Sequence, residues 1–288
     1  MRRILVATDF STRSDRALRR ARLLAMAFDA ALSLVHVVDD DQPAAKLRAE
    51  REAAGELLKE LSWTLRTVDG VSCDMTVALG EPFAGIVATT ESSKPDLLVI
   101  GSHRRQVLRE VFVGTTAERT IRQVPCPVLM ANAVPAGAYH HLLLALDLSE
   151  TSREVVRAAY RLALDRRASV SAAYVIDAPE IGKPPRARGP RADVDGHARR
   201  TEQDAAASLA GFLADLPGNP VRRIVRINRT SVAETLRGVA KEVSADLVVI
   251  GTRGRSGLSK LLLGSTAQEL LGFAEFDVLT VPSFPDVR

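Results

Sequence analysis

Gly251-Thr-Arg-Gly254-Arg-Ser-Gly-Leu-Ser-Lys-Leu-Leu-Leu-Gly264-Ser265 follows the apolar run Asp246 to Ile250 and leads into a segment of helical character. A strand that passes through glycines into a helix lets backbone amides approach a ligand closely, and the helix start favours phosphate oxygens. An ordinary strand-to-helix turn has a similar composition, so this stretch does not decide the matter alone. A second copy does more. Gly101-Ser-His-Arg104-Arg-Gln-Val-Leu-Arg-Glu-Val-Phe-Val-Gly114-Thr115 follows Asp-Leu-Leu-Val-Ile at 96–100, and both Gly101 to Gly251 and Gly114 to Gly264 are steps of 150 residues. Matching segments at a fixed long offset mark an internal duplication. The copies differ where the first has Arg104 and the second Gly254.

Working outward, each half alternates strands and helices. The first half reads as strands Arg3 to Thr8, Ala31 to Val38, Val71 to Leu79, Asp96 to Ile100 and Pro127 to Ala131. Helices are expected over Ser11 to Asp29, Ala44 to Thr67, Phe83 to Ser92 and Thr115 to Arg122. The second half repeats the order, with strands His141 to Leu146, Ser169 to Ile176, Val221 to Asn228, Asp246 to Ile250 and Val278 to Val281. Its helices are expected over Ser152 to Asp165, His197 to Leu216, Val232 to Val243 and Thr266 to Gly272. Such alternation implies α/β architecture with right-handed crossovers and mostly parallel strands. The expected domains are 1–132 and 139–288, each five-stranded and doubly wound, with Asn132 to Ala138 as linker. Asp9 to Asp147 is a step of 138 residues, whereas Asp96 to Asp246 is one of 150, so the second half carries 12 extra residues between. The Pro-rich segment Pro179 to Gly196 is their natural host and is expected to be poorly ordered.

Composition agrees with two globular units. The 288 residues are 46% hydrophobic and 26% charged, and no apolar run is long enough for a membrane helix. After Met-Arg-Arg the first apolar run ends at Asp9, too soon for a secretory core, and it reads as a strand. Cys73 and Cys126 have no metal or redox spacing, which suits a reducing cytoplasm. The net charge of +4 would admit nucleic acid, but the one basic concentration, Lys183, Arg186, Arg188, Arg191, Arg199 and Arg200, is interrupted by Asp193 and Asp195. It reads as a solvated loop, and no nucleic-acid or membrane partner is expected.

In an open parallel sheet, ligands bind beyond the carboxyl ends of the strands. Asp147 and Ser149 stand there in the second half, and Asp9 and Ser11 in the first. Ser149 reads as a helix N-cap. Asp147 either forms the turn or offers a carboxylate to a ribose hydroxyl, and both readings stay open. Gly251, Gly254, Gly264, Ser265 and Thr266 are the candidates for holding phosphate. The stretch is neither a Walker loop nor the dinucleotide fingerprint. His103 is expected to face solvent, the pair His140 and His141 to be structural, and Trp63 to pack on a helix face. No nucleophile and base stand in arrangement and no ligand spacing for a metal occurs, so neither catalytic nor metal residues are assigned.

Together these motifs resemble the universal stress protein family, here as a tandem pair: Gly251-x2-Gly254-x9-Gly264-Ser265, an Asp after the first strand, His36-Val37 or Tyr174-Val175 closing the second, and a Cys-Pro-Val-Leu type final strand. The resemblance implies two Rossmann-like, adenine nucleotide alpha hydrolase-like domains whose last strands, Val128 to Met130 and Val278 to Thr280, pair to form a pseudo-dimer. In the family the glycine pattern separates members that bind ATP from those that do not. That implies an ATP site at Asp147, Val175, Gly251, Gly254, Gly264, Ser265 and Thr266, with the Asp on the ribose, the Val backbone near adenine, and Mg2+ as a companion of the triphosphate. The first half matches at Asp9, Val37, Gly101, Gly114 and Thr115, but Arg104 replaces the middle glycine. If that position needs positive φ, Arg costs about 1–2 kcal/mol, whereas Arg104 and Arg105 paired with phosphates would rescue the site. The implied function is regulatory ATP binding in a cytoplasmic stress response, with at most slow hydrolysis and an unidentified protein partner. A homodimer of tandem chains is a further expectation. A nucleotide-independent interaction module and an ATPase or nucleotidyl transferase remain alternatives.

Overall fold

The structure is a computed structural model that describes residues 1–102, 116–162, 168–177, 191–214, 216, 222–254, 263–273 and 275–283. The first half runs β1 (Arg3–Ala7), α1 (Thr12–Phe28), β2 (Ala31–Val38), α2 (Ala44–Thr67), β3 (Cys73–Leu79), α3 (Pro82–Ser93), β4 (Leu97–Gly101), α4 (Thr116–Gln123) and β5 (Val128–Ala131). The second runs β6 (His141–Leu146), α5 (Glu150–Leu162), β7 (Ser169–Ile176), α6 (Arg191–Ala214), β8 (Arg222–Ile227), α7 (Val232–Glu242), β9 (Leu247–Gly251), α8 (Ser265–Leu271) and β10 (Asp277–Val281).

All the described strands join one sheet in the order β3-β2-β1-β4-β5-β10-β9-β6-β7-β8. Within each half the pairings are parallel, and the halves meet where β5 and β10 pair antiparallel, with Leu279 opposite Leu129. The expected pairing of the last strands is therefore present. It removes two apolar sheet edges and makes the carboxyl ends of the two halves point to opposite ends of the sheet. The outer edge β8 carries Arg222, Arg223 and Arg226, charges that blunt an open edge.

Side chains alternate across this sheet, so the core has two layers that both run through the two halves. On one face Ile4, Val6, Val99, Leu129, Leu144, Val249 and Leu279 pack with α1, α2 and α5. On the other Leu5, Leu98, Val128, Leu143, Val248 and Val278 pack with α3, α4, α7 and α8. The period of two along each strand is what a sheet covered on both sides requires. Burial pushes the Cys126 thiol up to about 12, and it also raises Cys73, so neither is a reactive thiolate.

Two carboxylates tie strand starts together in the same way in each half. Asp96 accepts the amides of Arg2 and Arg3 at 2.6 and 3.0 Å, and Asp246 accepts those of His140 and His141 at 2.8 and 3.0 Å. The histidine pair is structural, as expected. Burial works to raise the Asp96 pKa, but the two amide bonds outweigh it and leave the carboxyl below its ordinary value.

The linker is bound into the seam. Buried Asp277, at the start of β10, accepts from Nε of Arg20 on α1 at 3.0 Å, from the Tyr139 hydroxyl at 2.7 Å, and from the amides of Asn132 and Ala133 at 2.9 and 3.0 Å. Arg20 also donates to the Gly137 carbonyl and lies 4.0 Å from the centroid of the Tyr139 ring. Burial first, and the Asp277 charge second, raise the Tyr139 hydroxyl well above its ordinary pKa. A buried carboxylate is tolerable when its charge is paired and its oxygens are satisfied, as here.

Three expectations need correction. Trp63 is 60% exposed, because the buried stripe of α2 is Ala54, Leu58, Ser62 and Leu65, and Trp63 falls beside it. Helix α6 begins at Arg191, so the last six positions of Pro179 to Gly196 are helical and 179–190 lie outside the described residues. Helix α5 starts at Glu150, and the end expected near Asp165 also lies outside them.

Candidate nucleotide-binding clefts

Each half forms a cleft beyond the carboxyl ends of its strands, and each cleft begins with the same turn. Phe10 and Leu148, one residue after Asp9 and Asp147, have left-handed φ values of 57° and 63°. Such a conformation costs a non-glycine residue about 1–2 kcal/mol and needs support. In the second half Oδ1 of Asp147 supplies it, accepting from the Ser149 amide at 3.1 Å, the Ser149 hydroxyl at 2.5 Å and the Ser152 hydroxyl at 2.7 Å. The Ser149 hydroxyl accepts the Ser152 amide at 3.3 Å, which makes it the expected cap of α5. Asp147 is thus a turn former and a lining residue at once.

The second cleft has a volume of about 450 Å³ and brings together Asp147, Val175, Gly251, Gly254, Gly264, Ser265 and Thr266. Its apolar wall includes Val232 and Leu236 of α7, and Tyr174 and Arg253 are also in the lining. Val232 and Leu236 carried no signal of a site, because the spacing that puts them on the cleft also describes an ordinary buried helix face. The ends of the glycine stretch are drawn together by the Gly264 amide, which donates to the Thr252 carbonyl at 2.9 Å. Residues 255–262 lie outside the described residues.

Close approach, not left-handed backbone, explains these glycines. Neither Gly251 nor Gly254 has a positive φ, so the condition on which a side chain at 254 would carry a left-handed backbone cost is not met. A Cβ on Gly251 would stand 2.6 Å from Cγ2 of Thr151, and one on Gly254 would stand 3.1 Å from Oδ2 of Asp147. A side chain at 254 would therefore press on the carboxylate and fill the mouth of the cleft. At the start of α8, the first backbone amides lack intrahelical acceptors and border the same cleft.

The first cleft, about 340 Å³, is lined by Asp9, Val37 and Gly101 among the expected residues. Gly114 and Thr115, with His103 and Arg104, lie outside the described residues. A Cβ on Gly101 would stand 2.9 Å from backbone atoms of Arg13. Burial works to raise the Asp9 pKa, but hydrogen bonds from Ser11 and Ser14 outweigh it and hold the carboxyl below its ordinary value. The two clefts differ in their lining. Arg13, His36 and Thr120, which line the first, correspond in sequence to Thr151, Tyr174 and Leu270 of the second half, of which only Tyr174 lines the second cleft. Nδ1 of His36 lies 2.8 Å from the Thr8 carbonyl, and the ring packs 4.5 Å from that of Phe10 between centroids.

The model of the universal stress protein family matches residues 1–132 and again 138–282. The chain belongs to this family. A universal stress protein of Mycolicibacterium smegmatis is 27% identical over 292 residues, spanning 96% of this chain and 96% of that relative. One of Mycobacterium tuberculosis is 28% identical over 192 residues, or 65% of this chain, and the match spans only 62% of the relative's length. Among solved structures, a universal stress protein from Archaeoglobus fulgidus has a TM-score of 0.69 at 16% identity, covering 97% of this chain and 98% of its own. A protein of unknown function from Pseudomonas aeruginosa also has a TM-score of 0.69, at 21% identity, covering 98% and 92%. These two likenesses concern the fold, which is that of two tandem universal stress protein domains. No described helix is long and apolar enough to cross a membrane.

Proposed function

We propose that the second half binds ATP as a regulatory ligand of a cytoplasmic stress-response protein. The observation that carries this reading is the side-chain-free position at Gly254, directly beside Oδ2 of Asp147 in the lining of a cleft of about 450 Å³. The apolar wall of Val175, Val232 and Leu236 suits a purine, and the carboxylate of Asp147 suits a ribose hydroxyl. Gly251, Gly254 and Gly264 leave backbone exposed to a triphosphate, with the hydroxyls of Ser265 and Thr266 beside it. Mg2+ would arrive with the nucleotide.

A role as ligand fits better than a role as rapidly consumed substrate. Oδ1 of Asp147 is engaged by three donors, which suits a fixed acceptor more than a group that shuttles protons. Hydrolysis is accordingly slow at most. The test is a thermal-shift titration of the full chain with ATP and Mg2+. ATP should raise the melting temperature of the parent and leave that of Gly254→Arg unmoved. An equal rise in both would overturn the assignment.

A further inference from the structure

The two outer strands of the sheet, β3 and β8, are counterparts in the duplication and differ in character. Val35 stands opposite Thr76 as Ala173, 138 residues on, stands opposite Ile224. Asp74, Met75 and Ala78 of β3 therefore correspond to Arg222, Arg223 and Arg226 of β8. The arginines guard the β8 edge. Strand β3 has no Lys, Arg or Pro, and its Met75 and Leu79 are 37% and 42% exposed. A long edge without such guards is a template for another strand.

The backbone groups of that edge can be assigned one by one. The Leu32 amide donates to the Ser72 carbonyl and the Gly80 amide to the Val38 carbonyl, so the even-numbered residues between them turn toward β2. The amides and carbonyls of Cys73, Met75, Val77 and Leu79 point to the open side. The Ser62 hydroxyl of α2 covers the Cys73 carbonyl at 2.9 Å, and among the described residues the other three present bare backbone. Trp63, the one tryptophan of the chain, follows Ser62 on the helix that reaches this edge and is 60% exposed.

We propose that β3 is an interface for a second copy of this chain, whose own β3 pairs antiparallel to it with Val77 opposite Val77. This register sets exposed Met75 against exposed Leu79 on both sides of the two-fold axis, and it engages the bare groups of Met75, Val77 and Leu79 together. Asp74 falls opposite Gly80, which has no side chain, and Glu81 beyond it is already paired with Arg119, so no like charges are opposed. Past Gly80 the partner chain turns into α3, on the face away from α2, before it would reach the carbonyl that Ser62 covers. The axis is perpendicular to the sheet, so the two copies of α2 lie on one face and cover Trp63. Antiparallel pairing of like strands already joins the halves within the chain, at β5 and β10. Strand β8 paired with itself would crowd its arginines instead. The interface does not rest on the ATP reading of the second half.

The test is sedimentation velocity of the nucleotide-free full chain over a concentration series, with Trp63 emission read on the same samples. The parent sediments as a dimer of 31.1 kDa chains, and its emission moves to longer wavelength as dilution separates them. Met75→Arg, which gives β3 the side chain that β8 carries at the same place, sediments as a monomer, melts like the parent and shows the long-wavelength emission at every concentration. Leu79→Lys, on the other side of the same residue pair, is an independent variant with the same expected result. A parent that is monomeric throughout, a dimer that survives both substitutions, or open-ended oligomers made by β3 meeting β8 overturns the proposal.

Discussion

At Gly254 a single methyl group would stand 3.1 Å from Oδ2 of Asp147, closer than most real Cβ contacts, whereas at Gly101 it would stand 2.9 Å from backbone atoms that cannot rotate away. The two positions therefore fail in different ways. Gly254 is exposed, so Gly254→Ala should weaken ATP binding with little change in stability, read by calorimetry and melting of the same sample. Gly101→Ala should displace β4 from α1 and cost about 1–3 kcal/mol in urea unfolding. The spacing of these glycines was visible in the sequence, and so was their place at the carboxyl ends of strands. Their physical reason was not, because positive φ and close approach demand the same residue and only coordinates separate them.

Asp96 gives the pH dependence a defined sign. Its folded pKa lies below the ordinary value of 3.8, so its contribution is present above that value and is lost as pH falls through the folded pKa. Asp96→Asn should lower the melting temperature at pH 7, and the gap to the parent should close in acid. A gap of constant size down to pH 3 would show that the amide clamp acts without its charge.

Among the elements, α7 shows what a cap contributes. The Ser231 hydroxyl accepts the Glu234 amide at 3.1 Å and donates to Glu269 on α8 at 2.7 Å. Ser231→Ala should cost about 0.5–2 kcal/mol in urea unfolding. In the first half the corresponding pair is Glu81 with Arg119, an ion pair in place of a hydroxyl bond. The duplication thus kept the α3–α4 and α7–α8 contacts while changing their chemistry. Element order and type were legible because the apolar runs of the strands are short and flanked by turn residues. The exposure of Trp63 was not, since helical periodicity gives the direction of a buried stripe only once the packing partner is known.

For the whole molecule, the antiparallel β5–β10 pairing makes one sheet of two halves, and Asp277 fastens the linker across it. Removing one partner of a buried ion pair leaves the other uncompensated, at about 3–5 kcal/mol. Asp277→Ala should therefore lower the melting temperature by several degrees and loosen the seam, read by calorimetry and by faster hydrogen exchange at 132–139. The pairing of the last strands followed from the duplication and its family resemblance. The Asp277 tie did not, because its partners Arg20, Asn132 and Tyr139 come from distant parts of the chain and the first half has Pro127 at the same place.

The central claim is that the duplicated clefts have diverged and that only the second accepts ATP. The most direct test is calorimetric titration of nucleotide-free full-length chain with ATP and Mg2+. The prediction is one site per chain, abolished by Gly254→Arg and retained in Asp9→Ala. Two equivalent sites per chain, or a single site that survives Gly254→Arg, would contradict it.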